Sequence, residues 1–118
     1  MAPTVLVVED EWLIAEDHAA MLREARHDVV GPCATVKAAL SAIDDAAIDV
    51  ALLDVELRGE TSVAIAERLR ALDIPFAFVS GQFTYELPPD LRQQPLLSKP
   101  LARTTLTAAV ERLVKSKG

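Results

Sequence analysis

Short aliphatic runs alternate along this chain with longer stretches whose apolar positions recur at helical spacing. Thr4-Val5-Leu6-Val7-Val8 is a β-branched run that predicts a buried strand, and it stops at the acidic triplet Glu9-Asp10-Glu11. From Trp12 to about Ala25, the positions Leu13, Ala20 or Met21, and Leu22, with Ile14 beside them, predict a first helix. Asp10 or Glu11 is available near its N-terminus. Asp28-Val29-Val30 enters a second strand, and Gly31-Pro32 marks its end or an edge position. Thr35 is placed to cap a second helix, Val36 to about Asp45.

The second half continues the alternation. Ile48 to Leu53 is an apolar run interrupted at Asp49, and it ends at Asp54. Leu57-Arg58-Gly59-Glu60 reads as a loop, after which Thr61 or Ser62 can cap a third helix. Val63, Ile65, Ala66, Leu69 and Leu72 mark the face that this helix should bury. Phe76 to Ser80 is a fourth strand. Gly81 to Arg92 contains Pro88-Pro89, so a helix there must be short, broken or displaced. Pro95-Leu96-Leu97-Ser98 is a brief fifth strand ending at Lys99-Pro100, and Leu101 to about Lys115 closes the chain as a helix facing inward through Leu106, Ala109, Val110 and Leu113. Five strands alternating with about five helices, the strands apolar nearly throughout, imply a parallel sheet covered on both faces. The expectation is an α/β class, three-layer α/β/α, doubly wound five-stranded parallel sheet with flavodoxin-like strand order 2-1-3-4-5.

Composition narrows the function. The 118 residues suit one domain, residues 1–118, with no output domain expected after the last helix. A net charge of −6 with no basic run argues against nucleic acid and against anionic membrane surfaces. Basic residues gather only at Arg112, Lys115 and Lys117, where they suit the end of a helix. A single cysteine, Cys33, cannot form an internal disulfide and reads as a small buried hydrophobe. With no signal peptide and no apolar stretch long enough to span a bilayer, a cytoplasmic protein is expected.

In an open α/β sheet, ligands bind beyond the carboxyl ends of the strands. The residues there are Glu9 and Asp10 after the first strand, Asp54 after the third, Ser80 after the fourth and Lys99 after the fifth. Each is unremarkable by itself: an acid at a strand end is commonly a turn residue or helix cap, and Lys99-Pro100 alone could be surface. Together they form a phosphoryl-acceptor set. Three carboxylates on one rim repel unless a cation joins them, and Mg2+ takes oxygen ligands of this kind. Asp54 can then act as a nucleophile toward phosphorus. Lys99 can neutralise the transferred charge, Ser80 can hydrogen-bond a phosphoryl oxygen, and Gly81 keeps the approach open. His18 and His27 have no ligand spacing; His18 is expected to be exposed on the first helix and Trp12 to pack at the rim.

The segments Val5-Leu6-Val7-Val8-Glu9-Asp10-Glu11, Ala51-Leu52-Leu53-Asp54, Phe78-Val79-Ser80-Gly81 and Leu97-Ser98-Lys99-Pro100, in this order and spacing, resemble the receiver domain of two-component response regulators. The resemblance covers nearly the whole chain. It implies that Asp54 is the phosphoacceptor, that Asp10 and Asp54 ligate Mg2+ with Glu9 acting through water, and that the Glu56 backbone carbonyl joins them. It implies that Ser80 and Lys99 contact the phosphoryl group, and that Glu56 and Gln82 tune dephosphorylation. The donor implied is a histidine kinase or a histidine phosphotransfer protein, and the receiver assists only its own phosphorylation and dephosphorylation, so it is not an enzyme in the usual sense. An unknown downstream protein would read the phosphorylated state, and the receiver itself would be a monomer or weak homodimer. By the same resemblance, the surface from Phe83 to Arg92 and the last helix is the contact face.

Three features depart from the common pattern. Leu96 stands where receivers usually carry a switch aromatic, and Arg58-Gly59-Glu60-Thr61 replaces the usual proline-and-glycine loop. Phe78-Val79-Ser80-Gly81-Gln82-Phe83 resembles the FAT GUY subgroup, named for its Phe-Ala-Thr-Gly-X-Tyr signature. Phe83 is therefore a candidate switch aromatic, with simple packing under the loop as the alternative. Two other functions compete: a receiver-like protein-interaction scaffold that is never phosphorylated, and an aspartate-dependent phosphohydrolase. The first would be marked by loss of the acceptor, lysine or acidic pair, all of which are present. The second favours a nucleophile after the first strand with another Asp two residues on, whereas Asp10 is followed by Glu11 and Trp12. A nucleotide-binding site is disfavoured because no glycine-rich loop follows the first strand.

Overall fold

A computed structural model describes residues 2–81 and 87–117. Its elements are β1 (Thr4–Val8), α1 (Trp12–Glu24), β2 (Asp28–Cys33), α2 (Val36–Asp45), β3 (Val50–Asp54), β4 (Glu56–Leu57), β5 (Glu60–Thr61), α3 (Val63–Ala71), β6 (Phe76–Ser80), β7 (Leu96–Ser98) and α4 (Arg103–Lys117). The main sheet is parallel, in the order β2-β1-β3-β6-β7. With the small β4-β5 pair set aside, this is the expected 2-1-3-4-5 order.

The period of two along each strand divides the core. Leu6, Val8, Ala51, Leu53, Phe76 and Phe78 face one side with Ile65 and Leu69 of α3 and Ala39 and Ile43 of α2. Val5, Val7, Val50, Leu52, Ala77 and Val79 face the other with Leu22 of α1 and Leu106 and Val110 of α4. Both faces are therefore apolar and covered, as the near-continuous strands required. Phe76 and Phe78 meet edge to face, with ring centroids 5.5 Å apart.

Several local expectations change in three dimensions. β2 is the edge strand that Gly31-Pro32 allowed, but it does not stop there and continues to Cys33. Pairing with β1 slips from Leu6↔Val30 to Val8↔Cys33, and Gly31 takes φ +91° to absorb the extra residue. A Cβ there would lie 2.7 Å from the Cys33 nitrogen and 2.9 Å from the Val7 oxygen. β3 begins two residues later than the apolar run because the Asp49 carboxylate accepts the Thr4 N–H at 2.7 Å, tying the sheet entrance together.

The segment after Asp54, expected to be a loop, is a tight antiparallel hairpin pairing Glu56 with Thr61 and Leu57 with Glu60. Burial of Leu57 in the α2–α3 core holds it down. Thr35 caps α2 as expected, accepting from the Ala38 N–H at 3.1 Å. Ser62 occupies the N-cap position of α3, but its hydroxyl donates to the Val55 carbonyl instead.

The buried stripe of α1 is Ala15, His18, Ala19 and Leu22, an i, i+3, i+4, i+7 pattern. His18 is therefore inside, not exposed, while Trp12 and Leu13 are 69% and 75% exposed. The small alanines let the helix lie close to the sheet, so they, and not the large Leu13, mark the inward face. Leu72 follows the last turn of α3 and is half-exposed, outside the face assigned to it. The Pro88-Pro89 region holds only a 3-10 turn, Pro89–Leu91, whose Leu91 is buried.

Candidate functional site

The carboxyl ends of β1, β3, β6 and β7 converge on one rim. Parallel pairing sets Val8 beside Leu53, Asp54 beside Val79, and Ser80 beside Ser98, so Glu9, Asp54, Ser80 and Lys99 leave the sheet side by side. Backbone bonds continue past the strand ends. The Glu9 N–H donates to the Cys33 carbonyl at 2.9 Å, the Val55 N–H to Val79 at 3.1 Å, and the Lys99 N–H to Ser80 at 2.8 Å. These links fix the direction in which each side chain leaves the sheet.

Lys99 binds two carboxylates. Its Nζ lies 3.1 Å from Asp54 Oδ2 and forms a closer ion pair with Glu9 Oε1. The Asp54 contact has hydrogen-bond geometry; the Glu9 contact is an ion pair without it, leaving Glu9 Oε1 with unused acceptor capacity. The second Glu9 oxygen accepts the Glu11 N–H at the entrance to α1. Glu9 therefore serves the helix terminus, and the partly exposed Asp10 carboxylate is directed to the cleft. Glu9, Asp54 and Ser80 are buried.

Burial, and then the facing Glu9 carboxylate, push the Asp54 pKa up to about 7, against the pull of Lys99. Burial alone would raise Glu9 as well, but contacts with Asp54, Lys99 and the Glu11 backbone hold it below the usual carboxylate range. Burial opposes the charge on Lys99, yet its two carboxylate partners raise its pKa. One carboxylate oxygen each from Glu9, Asp10 and Asp54 lie within 4.8 Å of one another. An all-oxygen set of this size, with Asp54 pushed up by burial and by the facing Glu9 acid, fits a hard divalent cation.

These residues open into a cleft of about 520 Å³ that also takes in Glu56, Arg58 and Gly81. A hollow of about 600 Å³ around Arg70, Asp73 and Gln94 lies at the opposite end of the sheet, away from the acid cluster. Of the residues expected from sequence, Glu9, Asp10, Asp54 and Lys99 meet at one place, Ser80 ends the strand beside them, and Glu56 lines the same cleft. Gln82 and Phe83 lie outside the described residues. Sequence reasoning missed Arg58 on the cleft wall; the chain's departure from the usual loop at Arg58-Gly59 was the available signal. It also missed His18, which lines a second, smaller cleft with Lys99 and Pro100. Burial lowers the His18 pKa, Glu9 and Asp17 raise it, and Lys99 lowers it, the net change being downward.

A doubly wound sheet with this order and an acid–lysine cluster at its carboxyl rim defines a receiver module. The response regulator receiver domain family matches residues 5–111, and the chain belongs to that family. It is a receiver domain of two-component systems, and receiver domains bind Mg2+ through an acidic pocket and are typically signalling modules.

Among solved structures, SdrG from Sphingomonas melonis Fr1 is 38% identical, with 96% of this chain and 97% of that chain covered and a TM-score of 0.83. The BeF3-activated conformation of SdrG from Pseudomonas melonis Fr1 is also 38% identical, covering 97% and 99%, with a TM-score of 0.80. A CheY-like receiver domain protein from Methanospirillum hungatei JF-1 has a TM-score of 0.89 at 18% identity, covering 99% and 97%, which is a likeness of fold. No curated protein matches the chain. No helix among the described residues is long and apolar enough to cross a membrane.

Proposed function

We propose that this receiver accepts a phosphoryl group on Asp54 from a phosphohistidine of a histidine kinase or histidine phosphotransfer protein, and that an unidentified downstream protein reads the result. The observation that carries the reading is the convergence of Asp54, Asp10 and Lys99 in one open cleft beside the buried Glu9, with Lys99 ion-paired to Asp54 and Glu9. Asp10 and Asp54 would hold Mg2+ directly, Glu9 through water, and the Glu56 carbonyl would complete the protein ligands. When bound, Mg2+ supplies charge neutralisation for the acids and the phosphoryl oxygens.

An Asp54 oxygen forms the new O–P bond while the P–N bond to the donor imidazole breaks, and the ring nitrogen keeps the electron pair. Lys99, already against Asp54, neutralises charge gained by the acceptor. The Ser80 hydroxyl binds a phosphoryl oxygen. Glu56 and Gln82 tune the later attack of water, and Phe83 is the candidate aromatic that responds to phosphorylation. The cluster acts on its own acyl phosphate and turns over no separate substrate.

The BeF3-activated SdrG structure supplies a probe. Incubation with Mg2+ and a small phosphodonor, followed by intact-protein mass spectrometry, is expected to add one phosphoryl group to the native chain and none to Asp54→Asn. An unmodified native chain, or a variant modified to the same extent, would overturn the reading.

A further inference from the structure

Arg58 sits at the tip of the β4–β5 hairpin and lines the same cleft as Asp10, Asp54 and Lys99. Its mount is firm on both sides. Glu60 Oε2 accepts the Val36 N–H at 3.0 Å, fastening the hairpin to the first turn of α2. Leu57 is buried, and the Ser62 N–H and hydroxyl both donate to the Val55 carbonyl. Gly59 at φ +77° makes the turn that leaves Arg58 at the cleft mouth.

The charges around the cleft leave Arg58 a distinct task. Lys99 is engaged by Glu9 and Asp54. The remaining acids on the wall, Asp10, Glu11 and Glu56, repel any incoming anion. Arg58 is exposed, and among the described residues it has no ion pair and no side-chain hydrogen bond. A guanidinium is the side chain best suited to a phosphoryl oxygen pair, because its donors form a planar fork that stays charged at any working pH.

We propose that Arg58 is an anion-positioning residue of this receiver: from the hairpin tip it binds non-transferring oxygens of the incoming phosphoryl group and orients it toward Asp54 while Lys99 remains bridged to the acids. This role rests on the phosphoacceptor reading above. It also predicts a split that a merely structural arginine would not produce. Removing a cation from beside three carboxylates weakens anion capture but favours, or leaves unchanged, binding of the divalent cation.

The test compares the native chain, Arg58→Gln and Arg58→Lys in two titrations, Mg2+ alone and beryllofluoride at saturating Mg2+, with acetyl phosphate kinetics alongside. For Arg58→Gln, half-saturation by beryllofluoride and by acetyl phosphate is expected to rise about tenfold, the scale of one charge-assisted hydrogen bond. Mg2+ should bind as tightly as before or more tightly. Arg58→Lys should recover part of the loss. Unchanged anion half-saturation would overturn the proposal, as would a parallel loss of Mg2+ and anion affinity, which would mark Arg58 as a support for the hairpin. If the native chain itself takes neither beryllofluoride nor a phosphoryl group, the phosphoacceptor reading fails first and this one with it.

Discussion

Replacing Asp54 with asparagine is expected to stabilise the metal-free protein at neutral pH, although it removes the candidate nucleophile. Burial and the facing Glu9 carboxylate raise the Asp54 pKa from 3.8 to about 7. In the unfolded chain the group returns to its ordinary value. A carboxyl raised in this way contributes fully to stability below about pH 4, and that contribution is lost as pH rises through about 7. Above pH 7 the native state holds an unfavourable buried charge. A rise from 3.8 to about 7 corresponds to about 4 kcal/mol between the protonation states. Glu9, held below its usual range in the same pair, returns part of this, so removing one member should recover roughly 2 kcal/mol.

Asparagine keeps the shape of the side chain and leaves Lys99 paired with Glu9, so no buried charge is orphaned. For a chain of this size, ~2 kcal/mol corresponds to a Tm increase of about 8 °C. Thermal melts followed by circular dichroism in chelating buffer should show that gap at pH 8 and show it closing as pH falls toward 5. Saturating Mg2+ should raise the native Tm and leave the variant nearly unmoved. A variant that melts at or below the native temperature at pH 8 without metal would refute the electrostatic account, and so would a gap that is independent of pH.

Three further outcomes follow from other parts of the molecule. Asp10→Asn should weaken Mg2+ binding on the order of tenfold or more, read from the fluorescence of the single tryptophan, Trp12, two residues from the ligand; an unchanged titration would remove Asp10 from the metal site. Gly31→Ala puts a Cβ against two backbone atoms at a positive φ, so a loss of about 2 kcal/mol or more in urea unfolding is expected, whereas native stability would mean that β2 can shift. Burial lowers the His18 pKa below 6.5, so its contribution to stability is present above that value and is lost as pH falls through the folded pKa; His18→Leu should lose less stability than the native chain between pH 7 and 5, and identical pH profiles would contradict this.

Residue pattern alone was enough for the sheet, its two covered faces and the gathering of acids and a lysine at one rim. Val5 to Val8, Val50 to Leu53 and Phe76 to Val79 are apolar at every position, and a strand of that kind is stable only with helices on both faces. Once the topology follows, residues far apart in sequence must gather at the carboxyl rim. For that reason Glu9, Asp10, Asp54, Ser80 and Lys99 could be named from a string of letters.

The tertiary structure decided matters of distance and competition. Lys99 and Asp54 are 45 residues apart, and only the β3-β6-β7 register sets their 3.1 Å contact and gives Lys99 its second partner, Glu9. The hairpin after Asp54 was invisible locally because Leu57 folds it inward only when α2 and α3 supply a core to enter. The inward face of α1 was misjudged at Leu13 and His18 because close packing against the sheet selects small residues, and hydrophobicity alone does not measure how near two backbones lie. Arg58 gained its place on the cleft wall from the same hairpin. Local periodicity determines which faces are apolar; which groups share a site depends on long-range pairing, whose geometry no short window of sequence contains.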